Sequence, residues 1–187
     1  GPHTKYYPYL ESQASSFSAP DSLLSALITA DDDSLYPQDW LAKLWESHER
    51  NASAIHAVEV RRITLSQYHF EPYQDWPVCE APEPSKLNAL RANGGVLYPS
   101  AFLEFLLNKG TGFMQKSPAS DSLWMSRMSF ESSIDILPVK LGLAHRIPGT
   151  NKTGLGFENI GCGASHLCLG DLYSAEELAQ LLEIQKS

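Results

Sequence analysis

Much that would settle the role of this chain is scarce in it, and each shortage excludes something. Cysteine occurs three times in 187 residues, at Cys79, Cys162 and Cys168. An odd, small count argues against a disulfide framework and leans towards a reducing compartment, although Cys162 and Cys168 can still pair across a turn. No run approaches the roughly 18 apolar residues that crossing a bilayer takes, so no membrane span is expected. Basic charge is in deficit: 14 Lys and Arg stand against 22 Asp and Glu, a formal charge of −8. An acidic surface repels phosphate backbones, so nucleic acid is not an expected partner. The charge suits solubility or a basic protein partner instead.

Catalytic and cofactor spacings are missing as well. There is no Gly-x-Ser-x-Gly elbow for a serine nucleophile. The stretch "PGTNKTGLG" lacks the Gly-Lys-Ser/Thr that must sit directly before a helix in a phosphate loop, and it reads as a turn without a nucleotide. In "CGASHLC", Cys162, His166 and Cys168 are wrongly spaced for zinc, which prefers close pairs such as Cys-x-x-Cys. They read as small thiols packed around a glycine bend. No cofactor, metal or catalytic residue is assigned, and the chain leans away from being an enzyme. A cysteine nucleophile with His145 or His166 as its base remains the one catalytic alternative. His48, His56 and His69 fall among apolar neighbours and read as structural.

What is present is a set of well-punctuated elements. Residues 1–19 are rich in Tyr, Ser and Pro and read as a flexible lead-in. Its opening Gly1-Pro2 reads as the scar of a protease that removed an expression tag. A cytoplasmic location is expected, with the periplasm open if a leader was removed together with the tag. Residues 20–187 read as a single α+β domain, in which 20–50 form a helical extension. There, "APDSLLSALITADDD" has a capped stripe of Leu23, Leu24, Leu27 and Ile28, and "YPQDWLAKLWESHER" has Trp40, Leu41, Leu44 and Trp45 at helical spacing. These two are expected to pair as an N-terminal helical hairpin.

Beyond the hairpin the period changes. "AIHAVEVRRITLSQYHF" reads as one or two strands, and "EPYQDWPVCEAPEPS" as a proline-rich loop. "SKLNALRANGG" has a serine cap and a double-glycine stop and reads as a helix. A stronger helix follows, opened at Pro99 or Ser100, faced by Phe102, Phe105 and Leu106, and stopped at Gly110. "SLWMSRMSFESS" alternates imperfectly and reads as a strand, with "IDILPVKLGLAHRI" supplying one or two more. "FENIGCGASHLCLGDL" suggests a hairpin. Ser174 and Glu177 form a capping box ahead of Leu178, Leu181 and Leu182. The fold class is therefore α+β, a mostly antiparallel sheet flanked by helices.

Two features point to partners. Asp31, Asp32 and Asp33 are the densest charge run; they lack the alternate ligands, central Gly and closing Glu of a calcium loop. They read as a solvated loop, or as the contact for a basic partner, because acidic groups speed encounter with basic surfaces. Trp76, beside Asp75 in the proline-rich loop, either plugs the core or anchors a partner. Trp40, Trp45 and Trp124 read as core.

The segment from Leu87 to Gly112, with Leu90, Gly94, Gly95, Leu97, Pro99, Phe102, Phe105, Leu106, Asn108 and Gly110, resembles the central motif of the SUKH superfamily. The match covers about 25 of the 187 residues, and Tyr98 and Lys109 each interrupt the usual spacing. The resemblance implies a small α+β protein, and many members are immunity proteins that bind and neutralise a bacterial toxin. The leading expectation is thus a non-enzymatic binding protein, an immunity protein or inhibitor, with Asp31, Asp32, Asp33, Asp75 and Trp76 as partner contacts. An adaptor or structural subunit of a secretion or surface assembly is the second reading, and a small cysteine-dependent hydrolase or transferase the third.

Overall fold

The computed structural model describes residues 1–14, 26–79, 81, 83–141, 145–147 and 169–186. Its centre is a four-stranded sheet in the order β1 (Ala26–Thr29), β6 (Asn88–Pro99), β3 (Ile55–Arg62), β7 (Ile136–Pro138). β1 and β3 pair antiparallel with β6, while β7 runs parallel to β3. The expected α+β class, with a mostly antiparallel sheet, is what the molecule has. Two small ribbons complete the strands, β2 (Ser34–Leu35) with β8 (His145–Arg146) and β4 (Leu65–Ser66) with β5 (His69–Phe70).

Side chains alternate across a strand, so each strand serves two layers. Ile55, Ala57, Leu27, Val96 and Tyr98 face the larger core. It is covered by α1 (Tyr7–Ser12), α3 (Ser100–Lys109), α5 (Asp121–Ser132) and α6 (Ala175–Lys186). The intervening positions Ala26, Ile28, Val58 and Leu97 face the other way, where Trp40 and Leu44 of α2 (Trp40–Arg50) pack with Val139 and Leu141. The short α4 (Phe113–Lys116) links α3 to α5. Among the described residues no helix is long and apolar enough to cross a membrane.

Several elements depart from the sequence reading. Of the expected N-terminal helical hairpin the second arm is present; in the first, residues 15–25 with Leu23 and Leu24 lie outside the described residues, and Ala26–Thr29 is a strand, paired with Val96–Pro99. Leu27 and Ile28, neighbours on a supposed helical stripe, point to opposite faces of the sheet. "SKLNALRANGG" is likewise no helix but the first two thirds of β6. Its backbone is claimed from outside, since Leu90 N–H donates to Ser126 Oγ (3.1 Å) and Ala92 N–H to Ser122 Oγ (3.0 Å), both on α5. "SLWMSRMSFESS" is a helix, capped by Ser120, whose hydroxyl accepts from Leu123 N–H at 3.3 Å. Leu123, Trp124, Met125 and Met128 are all buried; a helix enclosed on most sides shows no clean apolar stripe.

The double glycine therefore has a different task from stopping a helix. Between Arg91 and Val96, β6 bulges opposite Val58. Gly95 holds φ at +95°, and a Cβ there would lie 2.4 Å from Trp40 Nε1. The indole instead donates to the Gly94 carbonyl at 3.2 Å. Only glycine combines that backbone angle with so close an approach, and the reward is the docking of α2 onto the sheet.

The segment expected as a flexible lead-in is built into the core from Pro2 to Ser12. Tyr6 and Leu10 are buried, and Lys5 is held between the carboxylates of Asp31 and Asp121. Other expectations hold. α3 starts after Pro99, buries Phe102 and Leu106, leaves Phe105 half-buried against the core, and ends at Gly110 with φ +55°. The capping box of α6 is present in both directions: Glu177 N–H donates to Ser174 Oγ at 3.3 Å, and Ser174 N–H to Glu177 Oε2 at 2.8 Å. Leu181 and Leu182 are buried. The Gly-rich stretch with Cys162, His166 and Cys168 lies outside the described residues, as does "PGTNKTGLG".

Candidate functional site

The five residues expected to meet a partner do not form one patch of free side chains. Trp76 is 1% exposed, and its indole N–H donates to the Glu71 carbonyl at 2.9 Å. It packs against Phe70 and Tyr73, so of its two alternatives it takes the core. Asp75 beside it is exposed. In the acidic run, Asp31 is turned inward to Lys5, and its N–H donates to the Tyr36 hydroxyl at 2.7 Å. The Asp33 carbonyl accepts from Ile147 N–H at 2.9 Å. Asp32 alone of the three is exposed. The run is the turn that joins β1 to β2, with its first carboxylate used to tie down the N-terminus.

An exposed apolar pair, a leucine and a tryptophan, lies instead on α2. Leu41 is 54% and Trp45 41% exposed, one helical turn apart, with the indole N–H donating to Glu49 at 3.1 Å. The sequence placed both in the core because the stripe Trp40, Leu41, Leu44, Trp45 is periodic. A helix lying on one face of a sheet buries only the part of that stripe that points down, here Leu44 and half of Trp40. Leu41 and Trp45 are left on the flank with Glu49, which is also exposed.

The opposite flank of α2 borders a groove of about 520 Å³ between the helix and the end of β7. It is lined by Lys43, Glu46, Ser47, Arg50 and Asn51 on one side and by residues 137–140 on the other. Under its wall lies His56, fully buried on the α2 face of β3. Its Nε2 is 2.9 Å from the Asn51 carbonyl and its Nδ1 2.9 Å from Ser47 Oγ. A carbonyl only accepts, so Nε2 carries the hydrogen and Nδ1 accepts from the serine hydroxyl. Burial, then the nearby His48 and Arg50, push the imidazole pKa below its ordinary value against the opposing pull of the Asn51 carbonyl.

That length alone does not make a nucleophile and its base, since His56 is wholly buried and both of its ring nitrogens are engaged. The Ser47–His56 pair is best placed to pin α2 to β3. His48, 6% exposed, stacks edgewise on His56 with ring centroids 5.9 Å apart, and its Nδ1 has no hydrogen-bond partner among the described residues. His48 and His56 are both buried, whereas His69 is exposed at a ribbon end.

A residue that sequence reasoning passed over is His3. It is 5% exposed, stacked on Phe113 at 4.1 Å, with Nε2 2.7 Å from the Ser117 carbonyl and Nδ1 2.9 Å from Tyr6 Oη. No local pattern marks it, because Ser117, which accepts its Nε2 hydrogen, lies 114 residues away and only Tyr6 is near in sequence. Ser47 and His56 were within closer reach. A serine on the inward side of a helix and a histidine at an even position of the next strand meet once the two elements pack.

A larger hollow of about 790 Å³ lies between α5 and α6, lined by Phe130, Glu131, Glu177 and Glu183 among others. Its carboxylates are already paired: Glu131 with Lys109 and Arg127, Glu177 with Arg127 at 2.8 Å, Glu183 with Lys186 at 3.0 Å. Cys79 is a free, buried thiol near Asn88 Oδ1 (3.6 Å). Among the described residues no cluster of three His, Cys, Asp or Glu side chains is arranged to hold a metal ion. Comparison with known proteins returned no matching family model, no matching curated protein and no matching solved structure.

Proposed function

We propose that this chain is a non-enzymatic protein-binding module, an immunity protein or inhibitor that docks on a basic partner such as a bacterial toxin and occludes it. The observation that carries the reading is the outer flank of α2, where Leu41 and Trp45 stand exposed beside Glu49. A rigid tryptophan with an apolar neighbour is the composition of a binding anchor, and a carboxylate beside it helps steer a cationic surface into register. The net charge of −8 acts in the same direction at long range. The SUKH resemblance of Leu87–Gly112 implies the toxin-neutralising role, and the inward-facing carboxylate of Asp31 and buried Trp76 move the expected contact from the Asp31–Asp33 and Asp75–Trp76 segments to α2.

The test uses the chain as bait in extracts of its native organism, then the captured partner as a purified protein in calorimetry. A stoichiometric, salt-sensitive complex with a cationic partner, whose toxicity the chain suppresses in cells, is expected. Trp45→Ala should weaken it about tenfold or more. A partner bound equally well by Trp45→Ala and Leu41→Ser, or one whose activity is untouched by binding, contradicts the reading.

A further inference from the structure

The groove on the inner flank of α2 runs against the charge of the rest of the molecule. Three of the chain's 14 cationic side chains, Lys43, Arg50 and Lys140, border it, against the single carboxylate of Glu46. Lys43 is shared with Asp39 at 2.6 Å. Arg50 and Lys140 are exposed, and neither makes an ion pair among the described residues. Among the described side chains seven cations are paired with a carboxylate, and the groove brings two unpaired ones, Arg50 and Lys140, to one hollow.

The other lining groups suit the same occupant. Arg50 offers a planar fork of N–H donors that matches phosphate oxygens two at a time, and Lys140 adds a compact charge from the far wall. Ser47 and Asn51 also line the groove, the hydroxyl hydrogen of Ser47 being already given to His56. The helix end is usually hostile to anions because its last carbonyls point outward. Here Asn51 N–H already covers the Ser47 and His48 carbonyls, at 3.2 and 3.1 Å. Leu137, Pro138 and Val139 form an apolar wall, and about 520 Å³ exceeds what a bare phosphate fills.

We infer that the groove between α2 and the end of β7 is a binding site for a small phosphorylated ligand, with Arg50 and Lys140 as its phosphate clamp and the Leu137–Val139 wall taking the organic part. The site is independent of the Leu41–Trp45 face, which lies on the other flank of the helix. The overall acidity of the chain remains a barrier to long polyanions such as nucleic acid, while a compact dianion meets only the local field.

The experiment is a titration of the full chain with phenyl phosphate and with inorganic phosphate, followed by backbone amide NMR at low salt. A parallel arm uses vesicles of phosphatidylcholine with and without a phosphoinositide, to separate a free ligand from a lipid headgroup. Phenyl phosphate should shift the amides of residues 43–51 and 137–140 and bind more tightly than phosphate. Arg50→Ala with Lys140→Ala should weaken binding about tenfold or more, whereas Lys116→Ala, an exposed cation elsewhere, and Trp45→Ala should leave it unchanged. Binding to phosphoinositide vesicles with the same variant dependence assigns the headgroup as the source and equally supports the clamp. The inference is overturned if neither phosphates nor vesicles bind up to about 10 mM, or if Lys116→Ala weakens binding as much as the Arg50→Ala, Lys140→Ala pair. Both altered residues are exposed, so the circular dichroism spectrum serves to show that the fold is kept.

Discussion

His3 and His56 are wired alike and do different things. Each is buried, each gives its Nε2 hydrogen to a backbone carbonyl, and each accepts at Nδ1 from a hydroxyl. In each, burial is the leading cause that lowers the imidazole pKa. The hydroxyls differ. That of Tyr6 is sealed in the core, its own pKa pushed far up by burial, while that of Ser47 borders a groove lined by cations. The lesson is that a hydroxyl–imidazole pair is not in itself a mark of chemistry. What distinguishes the two is what can reach the oxygen.

The largest way to break the comparison is to undock α2. Gly95→Ala places a Cβ into the Trp40 indole and strains a residue at positive φ, and is expected to cost on the order of 3 kcal/mol. Denaturant unfolding measures the loss. In the variant, imidazole NMR signals of His56 should move and those of His3 stay, because only α2 carries a partner of His56. Next come the hydroxyls themselves. Tyr6→Phe leaves His3 Nδ1 orphaned in a dry core, an expected cost of about 1–2 kcal/mol, whereas Ser47→Ala should cost about 0.5–1 kcal/mol, since water in the groove can substitute. Equal costs would erase the difference drawn between the two sites.

Acid should act on both sites with one sign. Where the folded imidazole resists a proton that the unfolded one accepts, the unfolded state binds more protons and stability rises with pH. His3, His48 and His56 are all lowered by burial. Stability is therefore expected to fall as pH drops below the ordinary histidine value of about 6.5, and to continue falling until the folded imidazoles themselves protonate. Thermal melts between pH 7.5 and 5.5 check this against a His3→Gln, His56→Gln double variant, which should show a shallower slope. The smallest effect is at His48, whose Nδ1 is buried without a partner among the described residues. His48→Leu should be neutral or stabilising by up to about 1 kcal/mol, since it removes an unmet polar atom.

The sequence announced elements whose signal is local. The Pro99 start and Gly110 stop of α3 and the Ser174–Glu177 box of α6 depend on residues a few places apart, and they are where expected. The α+β class and the mostly antiparallel sheet were legible too. What misled was local form overruled at long range. "SKLNALRANGG" has good helix formers, yet its N–H groups are taken by Ser122 and Ser126 of α5 and its edge by β3. The Leu23–Ile28 stripe fits a helix on paper, but Ala26–Thr29 finds Val96–Pro99.

The site was less legible than the fold, for a related reason. Charge density and a tryptophan in a proline-rich loop are visible in one dimension, so Asp31–Asp33 and Trp76 stood out. Whether a carboxylate is turned to Lys5, or an indole to the Glu71 carbonyl, depends on residues brought from elsewhere. Leu41 and Trp45 carried the reverse error. Their spacing spoke for burial, and only the angle at which α2 lies on the sheet leaves them outside.

The most direct test of the two-histidine account is nitrogen NMR of the imidazole rings at pH 7. The account predicts neutral rings with the hydrogen on Nε2 for both His3 and His56, and, on lowering the pH, protonation of each below the value of an exposed histidine. A His56 ring that carries its hydrogen on Nδ1, or that is already protonated at pH 7, would contradict it and return Ser47 to consideration as an activated hydroxyl.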